Sequence, residues 1–307
     1  MILFLGTTPA VQRSMTFDHL SIDKVNRAIS TEVAPAGKSV NAARIAHALG
    51  ADVLATGFLG GDTGELIRRA LDTQQIRHDF VTLAAPTRVC VTVIDRATSQ
   101  VTELIEEPAA VETHAFDALL ERVKTWIDRC SVAVLSGSLA PGSPVDFYAR
   151  CVALARPERT KWIVDATGDP LKLALKHRPF VVKPNAGELS ATVGLPVESD
   201  AQLRDAIRAL IALGPTWAVV TRGPDPVVVS DGREFWKLTP PRLKAVSPIG
   251  AGDAFAGALA WGLSHNHTMP DACAQAARVA SASTLSRLAG VVREADIKMV
   301  SILVEEF

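Results

Sequence analysis

The sequence predicts an α/β protein built around a mostly parallel sheet, and three observations carry that prediction. Short apolar runs alternate with amphipathic ones along most of the chain. Six of the apolar runs close in Gly, Ser, Thr, Asp or Asn: Met1–Gly6, Asp52–Gly60, Val132–Ser138, Lys161–Thr167, Pro179–Asn185 and Trp217–Gly223. Two stretches, at about 12–34 and 88–106, stand outside the alternation and repeat with period two.

Each element follows from its local pattern. The six apolar runs read as buried strands. Helix-like segments lie between them at Val40–Leu49, Thr63–Leu71, Phe116–Asp128 and Ala201–Leu213. Strands alternating with helices form βαβ units and hence parallel pairing. The period-two stretches, RVCVTVID and QVTELIEE among them, are not followed by helices of their own. They predict a small antiparallel sheet projecting from the main one as a lid over its edge. From Asp253 onward the chain is rich in Ala and reads as helical. In such folds ligands bind where the strands end, so the polar residues closing them are the first candidates for chemistry.

Composition narrows the partners. The 307 residues carry a formal net charge of −1 with no long basic run, which argues against nucleic acid and against an anionic membrane surface. No apolar stretch approaches the roughly 20 residues needed to span a bilayer. Cys90, Cys130, Cys151 and Cys273 are scattered, with no CxxC pair and no histidine cluster, as expected of a reducing, cytoplasmic setting.

Four segments carry chemistry. In Ser247–Ala260 a glycine-rich turn opens an apolar helix, so Gly250, Ala251 and Gly252 present backbone N–H groups to an anion. Asp253 lies in that first turn, where a carboxylate can accept a proton from an attacking hydroxyl or simply cap the helix. In Pro35–Ala43, Gly37 precedes a helix with Lys38 and Asn41 in its first turn. A lysine opposes the helix dipole there unless an anion joins it; a loop glycine with a solvated lysine is the plainer reading. Asn185 and Glu188 follow a buried strand, and they suit either a magnesium ion held through its waters or a capping box. Thr221 and Gly223 close another strand, as nucleotide contacts or as an ordinary turn.

Together these segments resemble the ribokinase (PfkB) family of carbohydrate kinases across essentially the whole chain. Ala36–Gly60 looks like the first family signature, with Ser39 where a glycine is preferred, and Ser247–Ala260 matches the second. Thr7–Arg13, Lys38, Arg88 and the Ser136-Gly137-Ser138 turn are most similar to the phosphofructokinase branch, which includes 1-phosphofructokinase and tagatose-6-phosphate kinase. The resemblance implies a single ribokinase-like three-layer domain over 1–307, with lid strands at about 12–34 and 88–106. It implies ATP and Mg2+, Asp253 as catalytic base, and the Gly250–Gly252 backbone as anion hole. Gln12, Gly37, Lys38, Asn41, Arg88 and Ser138 would bind the sugar or sugar phosphate. Lys183, Thr221 and Gly223 would face the nucleotide, with Asn185 and Glu188 near magnesium. A homodimer through the lid is a further expectation. Two departures bear on specificity: Gln12 stands where the family places an Asp that clamps sugar hydroxyls, and Pro226 stands where the nucleotide loop usually has a glycine. A kinase for an unphosphorylated sugar or nucleoside, or a catalytically weak sugar-binding homologue, is the alternative. A Rossmann-type oxidoreductase is disfavoured, because Gly6-Thr-Thr-Pro supplies no glycine-rich turn after the first strand.

Overall fold

The computed structural model describes residues 1–156 and 158–307. From the N-terminus, β1 (Ile2–Gly6) leads to β2 (Ala10–Phe17) and β3 (Ser30–Ala36). Next come α1 (Lys38–Ala48), β4 (Val53–Gly60), α2 (Gly61–Thr73), β5 (Arg77–His78), β6 (Val81–Leu83), β7 (Val89–Asp95) and β8 (Gln100–Ile105). The middle of the chain holds α3 (Thr113–Ile127), β9 (Val132–Ser136), α4 (Phe147–Val152), β10 (Lys161–Asp165), α5 (Gly168–Leu175), β11 (Val181–Val182), α6 (Ala186–Val193) and α7 (Asp200–Ala212). It closes with β12 (Trp217–Arg222), β13 (Asp225–Ser230), β14 (Phe235–Thr239), α8 (Ala251–Ser264), α9 (Met269–Ser283), α10 (Glu294–Met299) and β15 (Leu303–Glu306).

Eleven strands form the main sheet in the order β15-β14-β13-β12-β11-β10-β9-β1-β4-β5, with β6 also pairing β4. The six strands expected from sequence are its parallel centre. Their apolar runs are continuous because both faces are covered, as parallel sheets require. Alternate residues divide between two cores. Ile2, Phe4 and Val134 pack with Val40 of α1, Phe255 of α8 and Val279 of α9. Leu3, Leu5 and Leu135 pack with Phe116 of α3, Leu171 of α5 and Leu203 of α7. The result is three layers, helix on sheet on helix.

The second sheet has the order β3-β2-β7-β8. It falls where the lid was expected, but it is not wholly antiparallel: β2 and β7 run parallel, from Val11↔Val89 to Phe17↔Asp95. The long passage through α1 and α2 between them returns the chain in the same direction. The C-terminal third is likewise not all helix. β15 adds to β14 antiparallel, and with β13 these strands extend one edge of the main sheet. No helix among the described residues is long and apolar enough to cross a membrane.

Candidate active site

The carboxyl ends of the parallel strands and the N-terminus of α8 meet at one place. Gly250 caps α8 in the left-handed region (φ 81°, ψ 1°), and a Cβ there would stand 2.5 Å from the Ala289 Cβ, so only glycine fits. α8 is seated by its apolar residues Ala254, Phe255, Ala256 and Ala258, and Gly257 lets it approach the Ala42 carbonyl of α1. Its first turn therefore faces the strand ends at a fixed height. Among the described residues the Gly252 and Asp253 N–H groups have no backbone acceptor, and they are available to an anion.

Asp253 is 9% exposed, and its Oδ2 accepts a hydrogen bond from Asn41 Nδ2 at 2.8 Å. Burial pushes its pKa up to about 6; the Asp165 charge adds to that rise, while the Asn41 bond and the Lys38 and Lys183 ammoniums oppose it. Asp165 closes β10 and holds two lysines. Its Oδ2 lies 3.2 Å from Lys183 Nζ and its Oδ1 lies 3.7 Å from Lys38 Nζ. Lys183 is buried and its Nζ reaches toward Gly252, 3.9 Å from where a Cβ on that residue would be. Lys38 is the more open, with a side chain 45% exposed. Burial lowers its pKa, but Asp165, Asp253 and Glu188 outweigh this and hold it above the ordinary lysine value.

Asn185 and Glu188 form a capping box at the start of α6. Asn185 Oδ1 accepts from the Glu188 N–H at 2.9 Å, and Glu188 Oε2 accepts from the Asn185 N–H at 2.8 Å. Each residue uses one oxygen this way, and Glu188 Oε1 has no hydrogen-bond partner among the described residues. Among the described residues no group of three His, Cys, Asp or Glu side chains converges as a ligand cage. Thr221 lies beside Asn185 across an isolated parallel bridge and donates its N–H to Pro184 O at 3.0 Å. Gly223 follows at the turn into β13, with φ 62° and open space around it.

The residues expected to bind the acceptor gather around Thr8. Gly37 packs against Thr8–Ala10, and Gly137 lies between Thr8 Oγ1 and the Lys38 side chain. Ser138 is exposed at the mouth of that turn, its carbonyl accepting from Thr7 Oγ1. Arg88 immediately precedes β7, donating from Nη2 to Thr8 O at 3.1 Å and from Nη1 to Glu106 O at 3.3 Å. Lys38 thus joins the Asp165–Asp253 cluster, while Arg88 is engaged by the Thr8 and Glu106 carbonyls. Gln12 is buried with its amide engaged by protein at both ends: Nε2 donates to Thr92 Oγ1 at 2.9 Å and Oε1 accepts from the Ala289 N–H at 3.2 Å. These bonds take one N–H and one acceptor position of the amide that was expected to meet a sugar. Ser39 is accommodated because its Oγ takes the space a side chain on Gly6 would need.

Sequence reasoning gave Asp165 no role, although a strand-closing Asp in an otherwise apolar run is the signal that marks it. Arg44 and Ala289 were missed altogether; their one sequence signal is a cation on the apolar face of α1.

Residues 3–295 match the model of the pfkB family carbohydrate kinase, and the chain belongs to that family. It is an ATP-dependent sugar kinase. Among solved structures it is similar to phosphofructokinase-2 from Escherichia coli in complex with substrates and products, at 26% identity and TM-score 0.90, with 97% of each chain covered. The same enzyme in complex with fructose-6-phosphate gives 26% identity and TM-score 0.88 over 97% of each chain. A Thermotoga maritima protein described as a possible 1-phosphofructokinase shares the fold at 22% identity and TM-score 0.90, with 100% of this chain and 99% of that one covered.

Proposed function

We propose that the chain, acting as one kinase domain over residues 1–307, transfers the γ-phosphoryl group of ATP to a hydroxyl of a sugar phosphate of the fructose-1-phosphate, fructose-6-phosphate or tagatose-6-phosphate type. One observation carries this reading. A buried carboxylate, Asp253, sits at the open N-terminus of α8 with two lysines gathered beside it by Asp165.

Asp253 is the catalytic base. Its Oδ2 is held by Asn41, so Oδ1 takes the proton of the acceptor hydroxyl as that oxygen attacks phosphorus. A base whose pKa lies near 6 is ionised at neutral pH yet basic enough to be useful. Within the expected Gly250–Gly252 anion hole the Ala251 N–H is already donated to Pro248 O, so the Gly252 N–H, with that of Asp253, stabilises charge on the transferred group, and Lys183 and Lys38 flank it. Magnesium, when bound, neutralises charge on the nucleotide's phosphates. Glu188 Oε1, with Asn185 beside it, would hold the ion through its waters, in keeping with its octahedral hydration. Thr221 and Gly223 face the nucleotide.

On the acceptor side, Arg88 reaches the Thr8 carbonyl and Lys38 passes Gly137 near Thr8 Oγ1, and two cations approaching the same residue suit an anionic group on the acceptor. Similarity to a phosphofructokinase solved with fructose-6-phosphate supports the same acceptor class. The alternative acceptor, an unphosphorylated sugar, is favoured by a different fact: Arg88 already donates to two carbonyls and Lys38 already faces Asp165. A coupled ADP-release assay across phosphorylated and unphosphorylated forms of the same sugars separates them. We expect turnover with the phosphorylated form, and preference for the free sugar would replace this reading with the alternative.

The four cysteines are buried and free, which supports a cytoplasmic setting. The lid and its 18–29 connection expose Ile22, Val25, Ile29, Val33, Leu104 and Ile105, which supports a homodimer through that face. Sedimentation should show a dimer that Val25→Asp and Leu104→Asp shift toward monomer; a monomeric parent would rule it out.

A further inference from the structure

Residues 289–290 back both halves of the reaction centre. The Ala289 methyl fills the space beside Gly250, which caps the anion-hole helix. Gly290 presses on α1 so closely that a Cβ there would stand 3.0 Å from Asn41 Cα and 3.1 Å from Asn41 Oδ1. Asn41 is the donor to Asp253. A displacement of this two-residue segment would therefore move the base's partner and the anion hole together.

The main chain of Ala289 is gripped from two sides. Its N–H donates to Gln12 Oε1 at 3.2 Å, from lid strand β2. Its carbonyl accepts from Arg44 Nη1 at 3.0 Å, and the same Nη1 donates to Pro35 O at 3.1 Å on lid strand β3. Gln12 also donates to Thr92 on lid strand β7. Three of the four lid strands thus reach Ala289 through two buried side chains.

Arg44 is 8% exposed and, among the described residues, has no carboxylate partner; its third contact is Gln74 Oε1 at 3.1 Å. Burying a cation among neutral oxygens is costly, and an apolar side chain would fill the space without that cost. What the guanidinium supplies is a rigid fork of donors aimed at fixed carbonyls.

We infer that Gln12 and Arg44 are positioning residues that lock the lid to Ala289–Gly290, so that lid position sets the geometry of the anion hole and of Asn41. The inference rests on reading Asp253 and the α8 N-terminus as the reaction centre. Lid closure would then complete the site rather than merely cover it. It also gives Gln12 a use its two protein partners explain.

Gln12→Met keeps length and loses both hydrogen bonds. Gln12→Glu still accepts from the Ala289 N–H but cannot donate to Thr92 as a carboxylate. Arg44→Lys keeps the charge and loses the fork. Turnover, the KM for MgATP and for acceptor, and thermal melting are measured for each, with Asp253→Asn as control. Gln12→Met and Arg44→Lys should lower kcat roughly ten- to a hundredfold, with the KM for MgATP within about twofold of the parent, since small misplacements of reacting groups cost that much. Gln12→Glu should recover part of the loss. A merely structural role would lower the melting temperature and leave kcat, taken well below it, within about twofold of the parent; that result overturns the inference. An inactive Asp253→Asn beside unaffected Gln12 and Arg44 variants sinks only this inference, whereas a near-normal Asp253→Asn sinks the reading of the site itself.

Discussion

Lys183 and Arg44 are both buried cations bordering the reaction centre, yet their surroundings differ. Lys183 meets a carboxylate, Asp165, at 3.2 Å, inside a group that also contains Lys38 and Asp253. Among the described residues Arg44 meets only neutral oxygens, from Pro35, Ala289 and Gln74. Where charges of both signs are gathered, small movements of protons or phosphates change the balance, which is what a phosphoryl-transfer site needs. Where a single cation grips carbonyls, nothing is poised to change, and what it contributes is fixed geometry. The contrast separates groups that act on substrate from groups that hold the frame.

The sharpest way to break that contrast is Asp253→Asn. Turnover should fall by about 10²–10⁴-fold with ligand binding retained. In the parent, kcat/KM should rise with pH through about 6 as Asp253 ionises. The sign for stability is opposite. The folded pKa lies above the unfolded value, so Asp253 costs the fold nothing while protonated in both states, and the cost grows as pH rises from about 4 to about 6. At neutral pH Asp253→Asn should therefore melt higher than the parent. An acid limb unchanged by this substitution, or a folded variant of near-normal activity, would assign the base elsewhere.

Much of this was legible in the chain. The six parallel strands declared themselves because burial on both faces leaves no polar positions to interrupt an apolar run. The α8 turn declared itself because Gly250 and Gly252 serve a backbone that must come close to something. The rest needed the third dimension. Whether β2 and β7 run parallel is set by the path through α1 and α2, which local periodicity does not encode. β13, β14 and β15 lie at an edge, where short strands carry little pattern. The Asp165–Lys183 pair joins residues on adjacent strands, and the Arg44–Ala289 contact spans 245 positions. Asn185 and Glu188 show how two readings of one motif can coexist, since the capping box takes the one side-chain oxygen of Asn185 but only Oε2 of Glu188.

Arg88 tests the boundary between acting and holding, because it already grips two carbonyls and is also the proposed acceptor contact. If it reads a phosphate, Arg88→Ala should weaken acceptor binding about tenfold, equivalent to about 1.4 kcal/mol, and leave ATP binding little changed. An equal loss for phosphorylated and free sugar would place Arg88 with Arg44, among the residues that hold.

Glu188→Gln sharpens the same boundary at lower amplitude. Glutamine preserves the capping box, because its carbonyl still accepts from the Asn185 N–H. Only the charge is removed. The magnesium concentration needed for half-maximal rate should rise about fivefold, as expected for a partly exposed charge worth about 1 kcal/mol, with acceptor KM and melting temperature close to the parent's. Unaltered magnesium dependence would make the pair a cap and nothing more.

The smallest effect is expected at Pro226. The β12–β13 ladder shifts register between Val220 and Arg222, and the β13–β14 ladder begins at Val227. Pro226 falls at that irregularity, outside both registers, which is where a residue without an N–H is tolerated in a sheet. Gly223, the first residue of the turn, keeps its open surroundings and its left-handed φ of 62° whatever stands at position 226. Pro226→Gly should therefore restore the family's residue with little gain. The KM for ATP should stay within about twofold, as for substitutions worth about 0.5 kcal/mol or less. Stability should fall by about 0.4–1 kcal/mol, because glycine returns freedom to the unfolded chain that proline withheld. Steady-state kinetics and urea denaturation measure both. A tenfold change in the KM for ATP would mean that the missing N–H at 226 is felt by the nucleotide, and that this hairpin belongs with the groups that act on substrate.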